Sequence, residues 1–302
     1  MELHQFRMLR ELATLGSITA VADSLGISAS AVSQQLATVQ RGFAAPLTRR
    51  QGRTVVLTEA GLVLADAGAK VIEAMAAAHG AVDEFEQSTT GAVQVSGFHS
   101  AGQALFGPLI AELDGSGLDV RFTDEDVAQS EFPALTARYD LVLAHRMEYG
   151  PTWPASGLQV LTLAREPLDV ALPATHPLAA HAEIAPADVI GERWVTSRSG
   201  YSPDDVLVAI AAVANRPAHV AHRVNDYGVV AAIVAAGDAI GILPRYTSVR
   251  ARAEDVVLRP IAGVGAARSI DLLMRPENLR RASVRLVAGG LQRVMSQLVS
   301  AT

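Results

Sequence analysis

The 302-residue chain is half apolar, carries a net charge of −6 and contains no cysteine. This composition suits two or three folded domains and excludes wholesale disorder, disulfides, thiolate metal sites and cysteine nucleophiles. The acidic, amphipathic start is unlike a secretory signal, and no apolar run reaches the roughly 20 residues that span a bilayer, so we expect a cytoplasmic protein without membrane contact.

Positive charge is concentrated at the N-terminal end of the chain. Residues 1–58 contain six arginines and three acidic residues, a net charge of +3, whereas residues 59–90 carry a net charge of −5. Nucleic-acid binding depends on where cations cluster more than on the total charge. The N-terminal block is therefore the candidate DNA-binding region.

Residues 1–58 are predicted to form three helices followed by a short wing. The first helix ends at Gly16, where glycine and serine interrupt the apolar periodicity. The second ends before Gly26, and the third runs from Ser28 to about Val39. The alternating stretch 52–58 favours a β-strand.

The second and third helices are predicted to form a helix-turn-helix at residues 18–37. Ala22 is small enough for close helix contact, Gly26 permits a tight turn, and Ile27 and Val32 are expected to face the shared core. The polar, uncharged outer face of the third helix is suited to a DNA major groove. The candidate DNA-binding residues on this helix are Ser28, Ser30, Ser33, Gln34, Gln35 and Thr38.

Arg49, Arg50 and Arg53 lead into the predicted wing, where they could contact DNA phosphates or the minor groove. Considered separately, a polar helix face and an arginine-rich loop are more often solvated surfaces. Their combination in the only basic block of an acidic chain favours DNA binding.

Residues 59–90 are predicted to form a linker helix and a hinge. One apolar seam alternates four- and three-residue steps for about three heptads. Its members are Leu64, Gly68, Val71, Met75, Ala78, Val82 and Phe85. The seam favours pairing with a second copy of the chain, and packing on its own domain is the alternative. Ser88 to Gly91 then interrupts the helix as a predicted hinge.

Residues 91–302 are predicted to form an α/β region with a mostly parallel sheet, because strand-like and helical segments alternate. The predicted strands lie at residues 93–98, 118–122, 139–144, 168–173, 192–197 and 219–224. The predicted helices lie at residues 101–113, 204–215, 227–236 and 279–299.

The N-terminal motifs resemble those of the LysR-type transcriptional regulators. The resemblance covers about residues 2–65 through "GSITAVADSLGIS", "SAVSQQL" and "LTEAG", and it continues weakly through "VAAGDAIGILP". It implies an N-terminal all-α winged helix-turn-helix, a long dimerising linker helix and a C-terminal α/β, two-lobed, periplasmic-binding-protein-like effector domain. The sequence departs from the family pattern at Val39–Gln40, where a Leu-Glu pair is usual, and at Thr48, where an aromatic is usual.

The resemblance also implies two lobes within residues 91–302, with a ligand cleft between them. The first lobe comprises about residues 91–162 and 267–302, and the second comprises about residues 163–266. The chain is expected to cross between them near residues 161–163 and 268–270.

Ligands of α/β sheets bind at the carboxyl ends of strands, often against the N-terminus of the next helix. The candidate effector-binding residues are His99, Ser100, Ala101, Asp124, Thr196, Ser197, Arg198, Asn225 and Asp226. Helix capping is the alternative role for Ser100, Ser197 and Asn225. Arg198 favours an anionic effector, because a guanidinium can bind a carboxylate bidentately.

Residues 91–302 contain no recognisable catalytic or metal-binding motif. There is no G-x-S-x-G, no H-E-x-x-H and no glycine-rich phosphate loop after a strand. We therefore expect no enzyme activity, cofactor or metal, the alternative being a solute-binding or enzymatic α/β domain fused to a DNA-binding module. The sequence predicts a homodimeric or homotetrameric regulator that binds dyad-symmetric double-stranded DNA under the control of a small-molecule effector.

Overall fold

The computed structural model describes residues 1–85, 91–154, 157–248 and 255–302, and its account of side chains in the linker helix ends at residue 82. The N-terminal elements are α1 (Leu3–Leu15), α2 (Ile18–Leu25), α3 (Ala29–Gln40), β1 (Thr48–Gln51) and β2 (Thr54–Leu57). Their apolar side chains form one core, in which Met8, Leu9 and Val32 are fully buried. This core fixes α3 with its polar face outward.

The turn between α2 and α3 depends on Gly26, whose φ of 65° lies in the left-handed region. The Ile27 amide donates to the Ala22 carbonyl at 3.0 Å, and the Ser28 side chain caps α3. Ala22 and Val32 are buried, as predicted. The prediction for Ile27 is wrong: its side chain is 38% exposed, because it lies in the turn and not on a packed helix face.

The wing is an antiparallel hairpin in which β1 pairs with β2, from Thr48 opposite Leu57 to Gln51 opposite Thr54. The sequence pattern predicts β2 but not β1, since Thr48–Gln51 has no apolar alternation. Arg49 and Arg50 consequently lie within a strand, and Arg53 lies in the turn of the hairpin.

The linker helix, α4 (Glu59–Phe85), has two apolar faces. The inner face packs on the same chain: a Cβ atom at Gly68 would overlap the Phe6 ring of α1, so glycine allows this close contact. The outer face exposes Val71, Met75 and Val82 at 42%, 45% and 54%. The predicted seam is thus divided, and we call these three exposed residues the α4 stripe. Residues 88–90 of the predicted hinge lie outside the described residues.

The C-terminal elements run in the following order: β3 (Ala92–Gly97), α5 (His99–Glu112), β4 (Asp119–Asp124), α6 (Phe132–Leu135), β5 (Leu141–Met147), β6 (Gln159–Pro173), α7 (Pro186–Val189), β7 (Arg193–Thr196), α8 (Ser202–Ala214), β8 (His219–Arg223), α9 (Tyr227–Ala235), β9 (Ile240–Pro244), β10 (Val256–Arg259), β11 (Ala267–Met274) and α10 (Ala282–Ser300). None of the helices in the described ranges is both long and apolar enough to cross a membrane.

The strands follow the order β4-β3-β5-β11-β6-β9-β7-β8, and β10 also pairs with β6. We call the part around β3, β4, β5 and β11 the first lobe, and the part around β7, β8, β9 and β10 the second. Strand β6 pairs with β11 as far as Pro167 and with β9 from Leu168, so one strand serves both lobes. Strand β6 changes partner a few residues after the crossing expected at 161–163. The chain returns to the first lobe along β11, which begins at Ala267, next to the crossing expected at 268–270.

The sheet is mixed, which corrects the prediction of a mostly parallel sheet. Strand β3 pairs in parallel with β4 and β5, and β7 pairs in parallel with β8 and β9. Strands β6 and β11 pair antiparallel with each other and with their other neighbours, because they carry the chain between the lobes in opposite directions. Each lobe has its own apolar core, with Leu105 and Leu143 in the first and Trp194 and Ile242 in the second.

Candidate DNA-binding surface and effector cleft

The six predicted DNA-binding residues of the helix-turn-helix lie on α3 or at its N-terminal cap, and all except the half-buried Gln35 are exposed. Ser33 donates to the Ala29 carbonyl at 3.0 Å, and Thr38 donates to the Gln34 carbonyl at 3.0 Å. The Ser28 and Ser30 hydroxyls lie 2.9 Å apart.

Local hydrogen bonds therefore occupy the hydroxyls of α3. The side-chain amides of Gln34 and Gln35 form no hydrogen bond within the described part of the chain. A glutamine amide can donate to and accept from one adenine edge at the same time. These two amides are consequently the groups on this face that are most available to bases.

The three predicted arginines of the wing are exposed, and the structure gives none of them an acidic partner among the described residues. Arg49 and Arg50 are neighbours on β1, so their side chains point to opposite faces of the hairpin. They cannot hold the same phosphate. Arg53, in the turn, has the greatest freedom of approach.

Gln40, at the end of α3, fixes the loop that leads to the wing. Its Nε2 donates to the carbonyls of Phe43 and Ala45 at 3.1 and 2.9 Å, and its Oε1 accepts from the Leu47 amide at 2.7 Å. The sequence shows that Gln40 departs from the family pattern, but it does not show which groups the glutamine binds. One amide side chain here satisfies three backbone groups.

The predicted effector residues converge between the two lobes. His99 and Ser100 of the first lobe, with Ser197 and Asn225 of the second, line one small cavity of about 30 Å³, which we call the cleft. Asp124 and Asp226 contact His99 at its mouth. Ala101 and Thr196 are buried and do not line it. Sequence reasoning missed the lining residues Asp126, His145, Tyr201, Tyr227 and Arg268.

His99 connects the lobes through both ring nitrogens. Its Nδ1 lies 2.9 Å from the Asp124 carboxylate of the first lobe, and its Nε2 lies 3.1 Å from the Asp226 carboxylate of the second. The pKa of His99 is raised, and the hydrogen bond with Asp124 is the largest cause. Burial acts in the opposite direction but does not cancel it. A protonated imidazole donates to both carboxylates, whereas a neutral one can donate to only one.

Asp126 forms a second connection at the mouth of the cleft. Its carboxylate lies 3.5 Å from the Arg198 guanidinium and 3.4 Å from the Asn225 amide, both on the second lobe. Its carbonyl accepts from the Tyr201 hydroxyl at 3.2 Å. Arg198 also stacks over the Tyr201 ring, 5.5 Å from its centre. The arginine predicted to bind an anion thus already faces a carboxylate of the protein.

A buried ion pair lies at the base of the cleft. Arg268, on β11, is 1% exposed, and its Nε donates to the Glu166 carboxylate of β6 at 2.8 Å. Its Nη2 donates to the Thr247 hydroxyl at 3.0 Å, and the guanidinium lies over Phe98. The pair joins the two strands that cross between the lobes. The sequence signal for it was weak, since β11 reads ARSIDLLM and carries Ser269 and Asp271 beside Arg268.

His145 is fully buried beside this pair. Burial, with a further contribution from Arg268, lowers the pKa of His145 well below its ordinary value, so the ring is neutral. Its Nδ1 lies 3.1 Å from the Ser202 hydroxyl of the second lobe. Across the described ranges, no group of His, Asp or Glu side chains is arranged to hold a metal ion.

Two family models match the chain. The model described as bacterial regulatory helix-turn-helix protein, lysR family, matches residues 3–62, and the model described as LysR substrate binding domain matches residues 86–296. The chain belongs to the LysR family. It is therefore a LysR-type transcriptional regulator with a DNA-binding part and an effector-binding part, which confirms the predicted fold class and the prediction of a DNA-binding, effector-binding regulator.

Relatives agree with this assignment, and solved structures share the fold. The Hca operon transcriptional activator HcaR of Escherichia coli is 28% identical over 91% of both chains, and the small neutral protease regulatory protein of Streptomyces coelicolor is 28% identical over 80% of this chain and 73% of its own. Full-length OxyR from Pseudomonas aeruginosa has a TM-score of 0.63 at 20% identity, covering 96% of this chain and 94% of its own. CbnR complexed with its target DNA has a TM-score of 0.53 at 19% identity, covering 98% and 100%.

Proposed function

We propose that this LysR-type regulator reads DNA with the amides of Gln34 and Gln35 on α3, while Arg49, Arg50 and Arg53 hold the flanking phosphates. The observation that carries the proposal is an exposed, uncharged helix face whose glutamines have no hydrogen-bond partner in the described structure, next to three unpaired arginines. Base edges then determine sequence preference, and phosphates supply salt-dependent affinity.

The operator is a dyad-symmetric site read by two copies of the chain. The α4 stripe supplies the pairing surface, since Val71, Met75 and Val82 leave large apolar side chains exposed at heptad-like spacing. Pairing through α4 places two α3 helices in successive major grooves. Residues 1–58, 59–90 and 91–302 remain the proposed DNA-binding, linker and effector-binding units.

The effector carries an anionic group that binds at the mouth of the cleft. The first helical bond of α5 runs from the Gly102 amide to the Phe98 carbonyl, so the amides before Gly102 have no partner within the helix. Arg198 adds a guanidinium on the opposite lobe. The carboxylate of Asp126 now faces this arginine, and the anion of the effector replaces it there.

When the anion of the effector displaces the Asp126 carboxylate from Arg198, one of the connections between the lobes is broken. Closure or opening of the lobes then changes the spacing of the two α3 helices in the dimer. The regulator acts in the cytoplasm and catalyses no reaction, in keeping with relatives that are named as transcriptional regulators.

The test is a gel shift on the DNA upstream of the gene that encodes the chain. We expect salt-sensitive binding that Gln34→Ala weakens by about 1–3 kcal/mol per half-site, the usual cost of a bidentate base contact. Gln297→Ala, an exposed glutamine on α10, is the matched control and should leave binding unchanged. Equal binding by wild type and Gln34→Ala would refute the proposed role of α3.

A further inference from the structure

A second cavity lies where α1 and α4 pack on the first lobe, and it shares no lining residue with the cleft. Its volume is about 370 Å³, against about 30 Å³ for the cleft, which is within the range of small-molecule sites. Its walls come from α1, α4, residues 136–140 and the turn at Pro276–Arg280. We call it the junction cavity.

The junction cavity is rich in cations. Its lining includes Arg7, Arg10, Arg138, Arg275 and Arg281. Four carboxylates contact the last four of these arginines, namely Glu11, Glu125, Asp140 and Glu277. Arg7 is exposed and has no acidic partner in the part of the chain that the structure describes. Among the described side chains, one positive charge at the cavity therefore has no counter-charge.

Arg10 gives a second, independent indication. Its Nη1 binds Glu277, but its Nε is buried and has no hydrogen-bond partner among the described residues. Burial, and next to it the charge of Arg275, lowers the pKa of Arg10. The carboxylates of Glu277 and Glu11 act in the opposite direction.

Part of the cavity's lining is apolar. Leu3 of α1 and Ile72, Met75 and Ala76 of α4 line it. A bare inorganic ion would leave these apolar side chains uncovered, whereas a molecule with an apolar body and one anionic group would contact both kinds of lining residue. A DNA duplex cannot enter a cavity of this size between packed helices.

We propose that the junction cavity binds a small organic anion with an apolar body, as a ligand site separate from the effector cleft. The anion contacts Arg7, and the body packs on Leu3 and Ile72. Because the walls belong to the DNA-binding helices and to the first lobe, the bound molecule fastens these parts together.

The experiment is a titration of the full chain with phenyl phosphate, followed by calorimetry and by thermal unfolding. Two control probes are titrated at the same ionic strength: phenol, which lacks the anionic group, and inorganic phosphate, which lacks the apolar ring. We expect phenyl phosphate to bind more tightly than either probe. Arg7→Gln should weaken it at least about tenfold, the usual effect of losing a charged hydrogen bond.

Two control variants locate the site. Arg216→Gln, at an exposed arginine of the second lobe, should leave phenyl phosphate binding unchanged, and Arg198→Gln, at the mouth of the cleft, should leave the Arg7-dependent binding in place. Absence of binding at millimolar phenyl phosphate, or binding indifferent to Arg7→Gln, would overturn the proposal, as would loss of binding in Arg198→Gln. If Arg7→Gln weakens binding of an unrelated DNA duplex but not of phenyl phosphate, Arg7 is a DNA contact and the proposal is wrong.

Discussion

Gln40 shows what one amide can do that a carboxylate cannot. It donates two hydrogen bonds to the carbonyls of Phe43 and Ala45 while it accepts one from the Leu47 amide. A glutamate, usual at this position in the family that the N-terminal motifs resemble, would keep only the accepted bond. The sequence marks Gln40 as unusual, but its partners follow from the path of the loop, which no local pattern predicts.

We therefore predict that Gln40→Glu destabilises the chain by about 0.5–1.5 kcal/mol, because two exposed carbonyls lose their donor and face a negative charge. Denaturant unfolding of wild type and variant measures the difference. Gln297→Glu, on the exposed side of α10, controls for added charge and should change stability little. A Gln40→Glu variant as stable as wild type would show that the loop does not depend on these bonds.

At the scale of elements, periodicity predicts the helices of this chain better than its strands. The predicted helices at residues 204–215 and 227–236 lie within about two residues of α8 and α9. Strand β1 is missed because four polar residues become a strand only by pairing with β2. The antiparallel course of β6 and β11 is also missed, since side-chain patterns give a strand but not its direction.

The two faces of α4 are likewise decided by packing. Heptad spacing predicts one seam, yet Gly68 turns inward against α1 while Val71 and Val82 stay exposed. Spacing alone cannot tell an inner face from an outer one when alanine and glycine occupy both.

We predict that Val71→Glu, and separately Val82→Glu, weakens pairing of the chain more than tenfold, because the charge would be buried in an apolar interface. Sedimentation over a concentration series measures the oligomeric state. Val208→Glu, at a 63% exposed valine of α8, should leave it unchanged. Unaltered assembly in both α4 variants would assign pairing to another surface.

At the scale of the molecule, the predicted effector residues meet between the two lobes, but the sequence does not predict the residues at the base of the cleft. Arg268 and Glu166 are 102 residues apart, and only the crossing of β6 and β11 brings them together. Asp126 follows β4 at the edge of the sheet, so its contact with Arg198 depends on how the lobes face each other. Contacts made by the arrangement of lobes leave no periodic signal.

His99 makes the connection between the lobes sensitive to pH. Since its folded pKa is raised above the unfolded value, the stability that it contributes is present below about pH 6.5 and is lost as the pH rises through the raised pKa. We predict that His99→Gln lowers the melting temperature at pH 6 more than at pH 8.5. His219→Gln, at an exposed histidine of β8, should show no such difference. A constant effect of His99→Gln across this range would contradict the protonated connection.

Helix α3 is proposed to read a dyad-symmetric site through Gln34 and Gln35. Sequencing of the DNA that co-purifies with the full chain, with and without cell metabolites, tests it most directly. We predict one enriched motif with two related half-sites about one helical turn apart, a shift in its occupancy with metabolites, and loss of the motif in Gln34→Ala. Recovery of random DNA, or of the same motif from Gln34→Ala, would contradict the claim.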